Sequence, residues 1–478
     1  MAEIAVNPPL ERKDIQGIVL FGYGSLPSAR FYFLHIEDAA QARRWLRESR
    51  KRVRHAGDDH RDWHTALNLG FTVAGLRALG VDEDTLCTFP REMQQTMADE
   101  ERALVLGDEE ESAPTRWELG GPAGTELHAV ALVYGRSAAE VADTAVSLGL
   151  EDQARSGASV ATCIESQRIG DGREHFGFRD GLSQPHVLGM PVSTRDAEYQ
   201  SGPAVAAGEF VLGYPNEYQQ LPLSPSVHRG HPGADALPPL AHAADSRHDL
   251  GKNGSYLVLR KLQQHVSVFW NAMREHGGEE GAASLGERIV GRKADGPPLE
   301  GRPNMRPNDF DFSDDVAGDR CPIGAHIRRA NPRAALAREL RDPREQAREL
   351  ERATKTLQRH RLLRRGRPYG APLDDPRGAR DDDGVDRGLI FAVINTNIAR
   401  QFEFVQQTWM NSTKFDGLYD EDDPLVGQRR NAASFTLPGS PSPRRIRGLP
   451  RFVTMRGGGY FFLPSMTALD WLGDPERG

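Results

Sequence analysis

Two stretches of this chain repeat one order: a β-branched or aromatic run, a helical segment, then further strands around a second helix. In the first, 15–22 (IQGIVLFG) and 30–36 (RFYFLHI) are bounded by Gly, Pro and Ser and read as strands. Asp38 then N-caps a helix running through DAAQARRWLRESRKRV. A second helix is predicted from near Trp63, with Leu67, Phe71, Leu76 and Leu79 on one side, followed by a strand at 127–134, a helix at 137–149 and a strand at 159–168. In the second stretch, strand 255–261 leads into helix 263–275, strand 388–396 into helix 398–411, and a last strand sits at 459–464. This alternation predicts an α+β protein of two related domains, each an antiparallel sheet backed by helices. The pattern alone carries the repeat, because no sequence identity between the blocks is visible. The expected division is 14–195, a connecting region 196–250 rich in Gly, Pro, Ala and His, and 251–470. Two further Pro- and Asp-rich stretches, 293–319 and 366–387, read as surface loops or lids without chemistry of their own.

Composition narrows the class. Hydrophobic residues at 38% and charged residues at 27% are the balance of a soluble globular protein, and no apolar run approaches the length of a membrane span. No basic, then apolar, leader opens the chain, and the three cysteines (Cys87, Cys163, Cys321) are too few and too scattered for a disulfide framework. A reducing, cytoplasmic setting is expected. The net charge of −8 argues against nucleic acid. The one arginine-rich stretch, 328–367, is interleaved with Glu339, Glu345, Glu349 and Glu351 and reads as a solvated helix laced with i,i+3 and i,i+4 ion pairs.

Few residues invite chemistry. Of fifteen histidines, His228, His231, His242 and His248 are too loosely spaced for a zinc site, and His60 and His64 lack the H-E-x-x-H pattern. His326 stands apart in RCPIGAHIRRANPR, where small residues let a flat macrocycle approach the backbone and arginines can neutralise its carboxylates. Read by itself it is better explained as a structural histidine. Cys321-Pro322 could present a thiolate to haem iron, or simply be a buried small hydrophobe, and no C-x-x-C-H is present for covalent haem attachment. In HFGFRDGLSQP, Gly177, Gly181 and Pro185 frame a tight loop around Asp180, which alone is an ordinary Asp-Gly turn. No Walker loop, dinucleotide fingerprint or nucleophile elbow appears.

Taken in order, these segments resemble the dye-decolorising peroxidase family, over roughly residues 14–466. The resemblance is carried by DIQGIVLFGYG, GFRDG (177–181), GEFVLGYPNEY (208–218), NGSYLVLRKL (253–262), IVGR (289–292), CPIGAHIRRANPR (321–333), LLRRGRPYG (362–370), DRGLIFAVIN (386–395) and RQFEFVQQTW (400–409). Length and insertions match the longer members. The resemblance implies two ferredoxin-like domains, with one haem b per chain held mainly by the second. It makes His326 the proximal iron ligand, Asp180 the distal acid–base residue and Arg364 the distal arginine, with Arg365 one residue away. Arg292 and Arg329 are the expected haem-carboxylate partners, and Asp423 (in DPLVG) is the candidate carboxylate for His326. Where some members carry asparagine two residues beyond the distal arginine, this chain has Gly366.

The implied activity is reduction of hydrogen peroxide with oxidation of phenols and anthraquinone-type dyes. The expected partners are peroxide and small or bulky aromatic reductants, with no nucleic acid and no membrane, in a monomer or homo-oligomer. An aspartate base, with an ordinary pKa near 3.9, implies an optimum below about pH 6, where a histidine base would be protonated. Tyr369, Trp409 and Tyr419 are candidates for passing electrons to bulky substrates, though ordinary packing is the better reading of each. Two other readings remain: a haem-handling protein, which needs neither Asp180 nor Arg364, and a thiolate-ligated oxygenase through Cys321.

Overall fold

A computed structural model describes residues 8–58, 63–190, 202–241, 246–299, 307–337, 339–428, 433–439 and 441–474. His60 and His242 lie outside them. The first unit runs β1 (Ser28–Ile36), α1 (Ala39–Arg50), β2 (Thr65–Phe71), β3 (Ala129–Gly135), α2 (Ala138–Leu148) and β4 (Ala158–Gln167). The second runs β5 (Ser255–Gln264), α3 (Val266–Val290), short α4 (His326–Ala330), α5 (Pro343–Gln358), a strand in two pieces, β6 (Leu363–Arg364) and β7 (Arg367–Tyr369), then β8 (Gly388–Asn395), π-helical turns Ala399–Glu403 and Val405–Met410, and β9 (Val453–Leu463).

Local chemistry explains the helix ends. The Asp38 carboxylate accepts the Gln41 N–H at the start of α1, and Ser137 does the same for Glu140 in α2. Helix α5 is the solvated, ion-paired helix expected from the sequence, with Arg352–Glu349 and Lys355–Glu351 pairs.

In each unit the strands follow a ferredoxin-like order, fourth–first–third–second, all antiparallel: β4-β1-β3-β2 and β9-β5-β8-β7. The two sheets also meet edge to edge. Phe462 of β9 pairs with Phe71 of β2, and Ser166 of β4 with Tyr369 of β7, so the sheet closes on itself. Alternation then divides the side chains. Phe31, Phe33, Val130, Leu132, Leu257, Leu259, Ile390 and Ile394 fill the interior of the ring. Tyr32, Leu34, Leu67, Leu69 and Val133 point outward under Trp45 and Leu46 of α1 and Val141 and Leu148 of α2.

Two expected elements differ. Residues 65–71 are strand, not helix: Leu67, Leu69 and Phe71 alternate on one face, and helix resumes only at Val73–Ala78. The expected strand 15–22 is instead a helical turn, Gly17–Leu20. Side-chain amides replace its ladder there: Asn68 accepts the Ile18 N–H, and Gln16 bridges the Leu69 backbone and the Pro464 carbonyl. The expected loop 366–387 contributes β7, and 196–250 holds a small ribbon of Ser226–His228 and Arg247–Asp249. No helix among the described residues is long and apolar enough to cross a membrane.

Candidate active site

A cavity of about 270 Å³ lies on the outer face of the second sheet, beneath α3, α4 and the π-helical turns. Outward residues of three strands form its floor: Arg260, Leu262 and Gln264 of β5, Leu389 and Phe391 of β8, and Val453 and Met455 of β9. Phe176, Phe178, Phe310, Phe402 and Trp409 contribute aromatic rings to its walls.

His326 opens α4, and its ring lines the cavity. Its Nδ1 lies 3.0 Å from Oδ2 of Asp423, a fully buried residue 97 positions along the chain. Asp423 is itself fixed, because its Oδ1 accepts the N–H groups of Leu425 and Val426. Burial opposes charge on both members, but each favours the charged form of the other more strongly: His326 is raised and Asp423 lowered. With Nδ1–H committed to the carboxylate, Nε2 is the ring nitrogen left as a donor atom, and no described residue hydrogen-bonds it.

Asp180 comes from the loop ending the first unit. Glu174 shapes that loop: its carboxylate accepts the N–H groups of Phe176 and Phe178 and the Gln264 amide. Gly177, with φ of +96°, makes the turn that a side chain would strain. Asp180 thereby meets Arg364, whose Nη1 donates to Oδ1 at 2.7 Å. Burial raises the Asp180 pKa, but the charge of Arg364, the Gly181 N–H and, more weakly, His326 outweigh it, and the net shift is down. The same balance fails for Glu174: burial dominates its N–H donors and pushes it up to about 7.

Strand direction separates Arg364 from its neighbour. Gln184 clamps the Arg364 backbone through both amide atoms while its side chain enters the cavity. Arg365 points the other way, donating to the carbonyls of Ile18 and Val19. Gly366 permits this close pairing: a Cβ there would lie 2.6 Å from the Ile390 carbonyl oxygen.

The other expected residues separate. Arg292 lines the cavity, but its guanidinium holds the carbonyls of Gly296 and Pro307 and the Asn308 amide oxygen. Thus the supposed surface loop 293–319 builds part of the wall. Arg329, the other expected haem-carboxylate partner, lies apart. It is fully buried, does not line the cavity, and holds the carbonyls of Trp409, Ser412 and Glu421. Cys321 lies in an apolar cluster with Phe310, Phe312 and Ala325, away from the lining, so the thiolate reading has no geometric basis. Tyr369 and Trp409 are buried, the latter on the cavity wall, and Tyr419 is exposed. Sequence reasoning missed Glu174 and Arg361, both of which line the cavity. The adjacency of Glu174 to the GFRDG segment was the signal available for it; Arg361 offered none beyond its nearness to Arg364.

Comparison with known proteins gives the chain its family. The chain is 30% identical over 512 residues to dye-decolorizing peroxidase msp1 of Mycetinis scorodonius, covering 98% of this chain and 88% of that one. It is 31% identical over 486 residues to the multifunctional dye peroxidase DyP2 of Amycolatopsis sp., covering 96% and 92%. Among solved structures, an ancestral D-type dye-decolorizing peroxidase aligns with a TM-score of 0.76 at 28% identity, over 97% of this chain and 99% of that one. A dye-decolorizing peroxidase solved with 2,6-dimethoxyphenol aligns at 0.75 and 25% identity, over 97% and 100%. No protein-family model matches. Fold and relatives together define an oxidoreductase of the peroxidase class. The chain belongs to the dye-decolorising peroxidase family, whose members are haem enzymes that reduce hydrogen peroxide.

The residues present fit such a cofactor. The ring nitrogen of His326 is a free ligand atom backed by an anion, the aromatic walls suit a flat apolar macrocycle, and arginines around the rim suit its carboxylates.

Proposed function

We propose that this protein binds one haem b per chain through Nε2 of His326 and uses Asp180 and Arg364 to reduce hydrogen peroxide, oxidising phenols and anthraquinone-type dyes in mild acid. The observation that carries this reading is the Asp180–Arg364 pair lining the same cavity as His326, which Asp423 backs from outside the lining. The chemistry such a cofactor would supply is two-electron reduction of peroxide to water, balanced by two successive one-electron oxidations of reductant.

The chain supplies position and protons. Reducing peroxide requires one proton to move from one oxygen to the other as water leaves, and Asp180, ionised and exposed to the cavity, accepts it and gives it back. Arg364 holds Asp180 in place and opposes the negative charge that develops, an effect worth about 2.7–4 kcal/mol for a well-aimed donor. Asp423 fixes the tautomer and orientation of His326 and strengthens it as a donor. Because Arg364 keeps Asp180 ionised below the ordinary carboxylate range, the reaction favours mild acid, below about pH 6.

Most of the cavity wall comes from 251–470, which makes the second unit the principal haem holder, while 14–195 contributes the Asp180 loop. Phenols as reductants are supported by the relative solved with 2,6-dimethoxyphenol, and dyes by the names of the curated relatives. Three free cysteines accord with a reducing, cytoplasmic setting. A haem carrier would leave the Asp180–Arg364 pair without a purpose. The deciding test is stopped-flow reaction of Asp180→Asn holoenzyme with hydrogen peroxide: a rate equal to wild type, at equal haem content, rejects the assignment.

A further inference from the structure

The cavity wall carries more positive charge than it neutralises. Arg364 is paired with Asp180, Arg260 with Asp108, and Arg179 with Asp171. Arg292 and Arg333 hold backbone carbonyls of the 296–310 segment. Arg361 is unlike them all. Arg361 lines the cavity, yet its guanidinium makes no hydrogen bond, ion pair or ring contact with any described residue.

Its backbone is nevertheless fixed. Arg361 follows α5 and precedes β6, its N–H donates to the Gln358 carbonyl, and its own carbonyl accepts from the Gln401 amide. The side chain is therefore presented at a defined place. Burial, and then the nearby charge of Arg364, push it down to about 10, so it remains a cation at any working pH. A partly buried, unpaired cation beside a second cation is relieved when an anion joins it. The surrounding wall selects the kind of anion: Leu357, Leu362, Val405 and Trp409 form one apolar cluster beside Arg361 and line the same cavity. A planar guanidinium fork on such a wall matches a carboxylate carried by a flat, conjugated ring system.

We propose that Arg361 is the anchoring cation for a carboxylate inside the cavity, belonging either to the cofactor's own side chain or to an anionic aromatic reductant. This rests on the haem-peroxidase reading above and extends it by assigning the charge partner that Arg329 does not supply. Holoenzymes of wild type, Arg361→Leu, Arg361→Gln and Arg361→Lys are loaded with haem b or with its dimethyl ester, which lacks both carboxylates. Transfer of each cofactor to excess apomyoglobin is followed by Soret absorbance. If the carboxylate is the cofactor's, wild type releases the ester about tenfold or more faster than haem b, the Leu and Gln variants release both equally fast, and Lys recovers part of the difference. If it is the reductant's, haem release is unchanged, but KM for a carboxylated phenol rises about tenfold relative to its methyl ester in the Leu and Gln variants. Folded Leu and Gln variants matching wild type in both measurements overturn the proposal and leave the peroxidase reading standing. A wild-type chain that retains no haem overturns that reading, and this assignment with it.

Discussion

Asp180 and Arg364 stand 184 positions apart in the chain, yet a 2.7 Å hydrogen bond joins them at the wall of one cavity. One comes from the loop closing the first unit and the other from a strand of the second. The site therefore exists only where the two units meet, and its chemistry is open to direct tests.

Removing either partner is expected to slow the reaction with peroxide while haem stays bound. Arg364→Leu removes the donor that opposes developing charge, a loss of about 10²–10³ in rate. Asp180→Asn removes the proton acceptor, for which a loss of about 10²–10⁴ is expected. Single-turnover mixing with peroxide measures both.

Arg365 provides the control. It donates to the Ile18 and Val19 carbonyls inside the ring, so Arg365→Leu leaves those acceptors unpaired and lowers stability by about 1–3 kcal/mol. The peroxide rate of the folded protein should match wild type. Denaturant unfolding and the same mixing experiment separate the two arginines.

Titration should act on Asp180 and Glu174 in opposite senses. The Asp180 pKa is depressed in the fold, so its contribution to stability is present above the ordinary carboxylate pKa and is lost only as pH falls through the lower folded value. Activity should accordingly persist in mild acid, and a profile of kcat/KM peaking at or above neutrality would exclude Asp180 as the base. Glu174 is raised to about 7, so the folded state binds its proton more tightly than the unfolded chain does. Its contribution is full below the unfolded pKa near 4.5 and fades as pH rises towards about 7. Tm of wild type should fall relative to Glu174→Gln between about pH 4.5 and 7.5, as read by differential scanning calorimetry.

Loss of the cofactor ligand should be visible by eye and in the spectrum. His326→Ala should lose its Soret band; full haem content in that variant would move attention to another ligand. Asp423→Asn keeps the shape but removes the anion behind the imidazole, so haem should stay while its midpoint potential becomes more positive. Spectroelectrochemical titration measures that shift.

Much of this was legible before the structure. Asp38 as a helix cap and the alternating runs around 30–36 and 388–396 carry local signals strong enough to place α1, β1 and β8. Residues 65–71 misled because Leu67 and Phe71 fit a helical spacing while Leu67, Leu69 and Phe71 fit a strand, and pairing with β3 decides between them. The arginines were the harder case. Arg329 and Arg361 look alike in a sequence; what separates them is that carbonyls from 409–421 converge on one guanidinium, while no described residue bonds the other. Such long-range convergence has no local signature. Asp423 was reachable only as a guess, since its pairing with His326 spans 97 positions.

The closed sheet has a consequence for how this molecule can be divided. Two short seams, Phe462 with Phe71 and Ser166 with Tyr369, convert a pair of open sheets into one without free margins. A gene fragment encoding either half would produce a sheet with its margins bare and its apolar inner face uncovered, a template for self-association. The halves are thus obligate companions in folding.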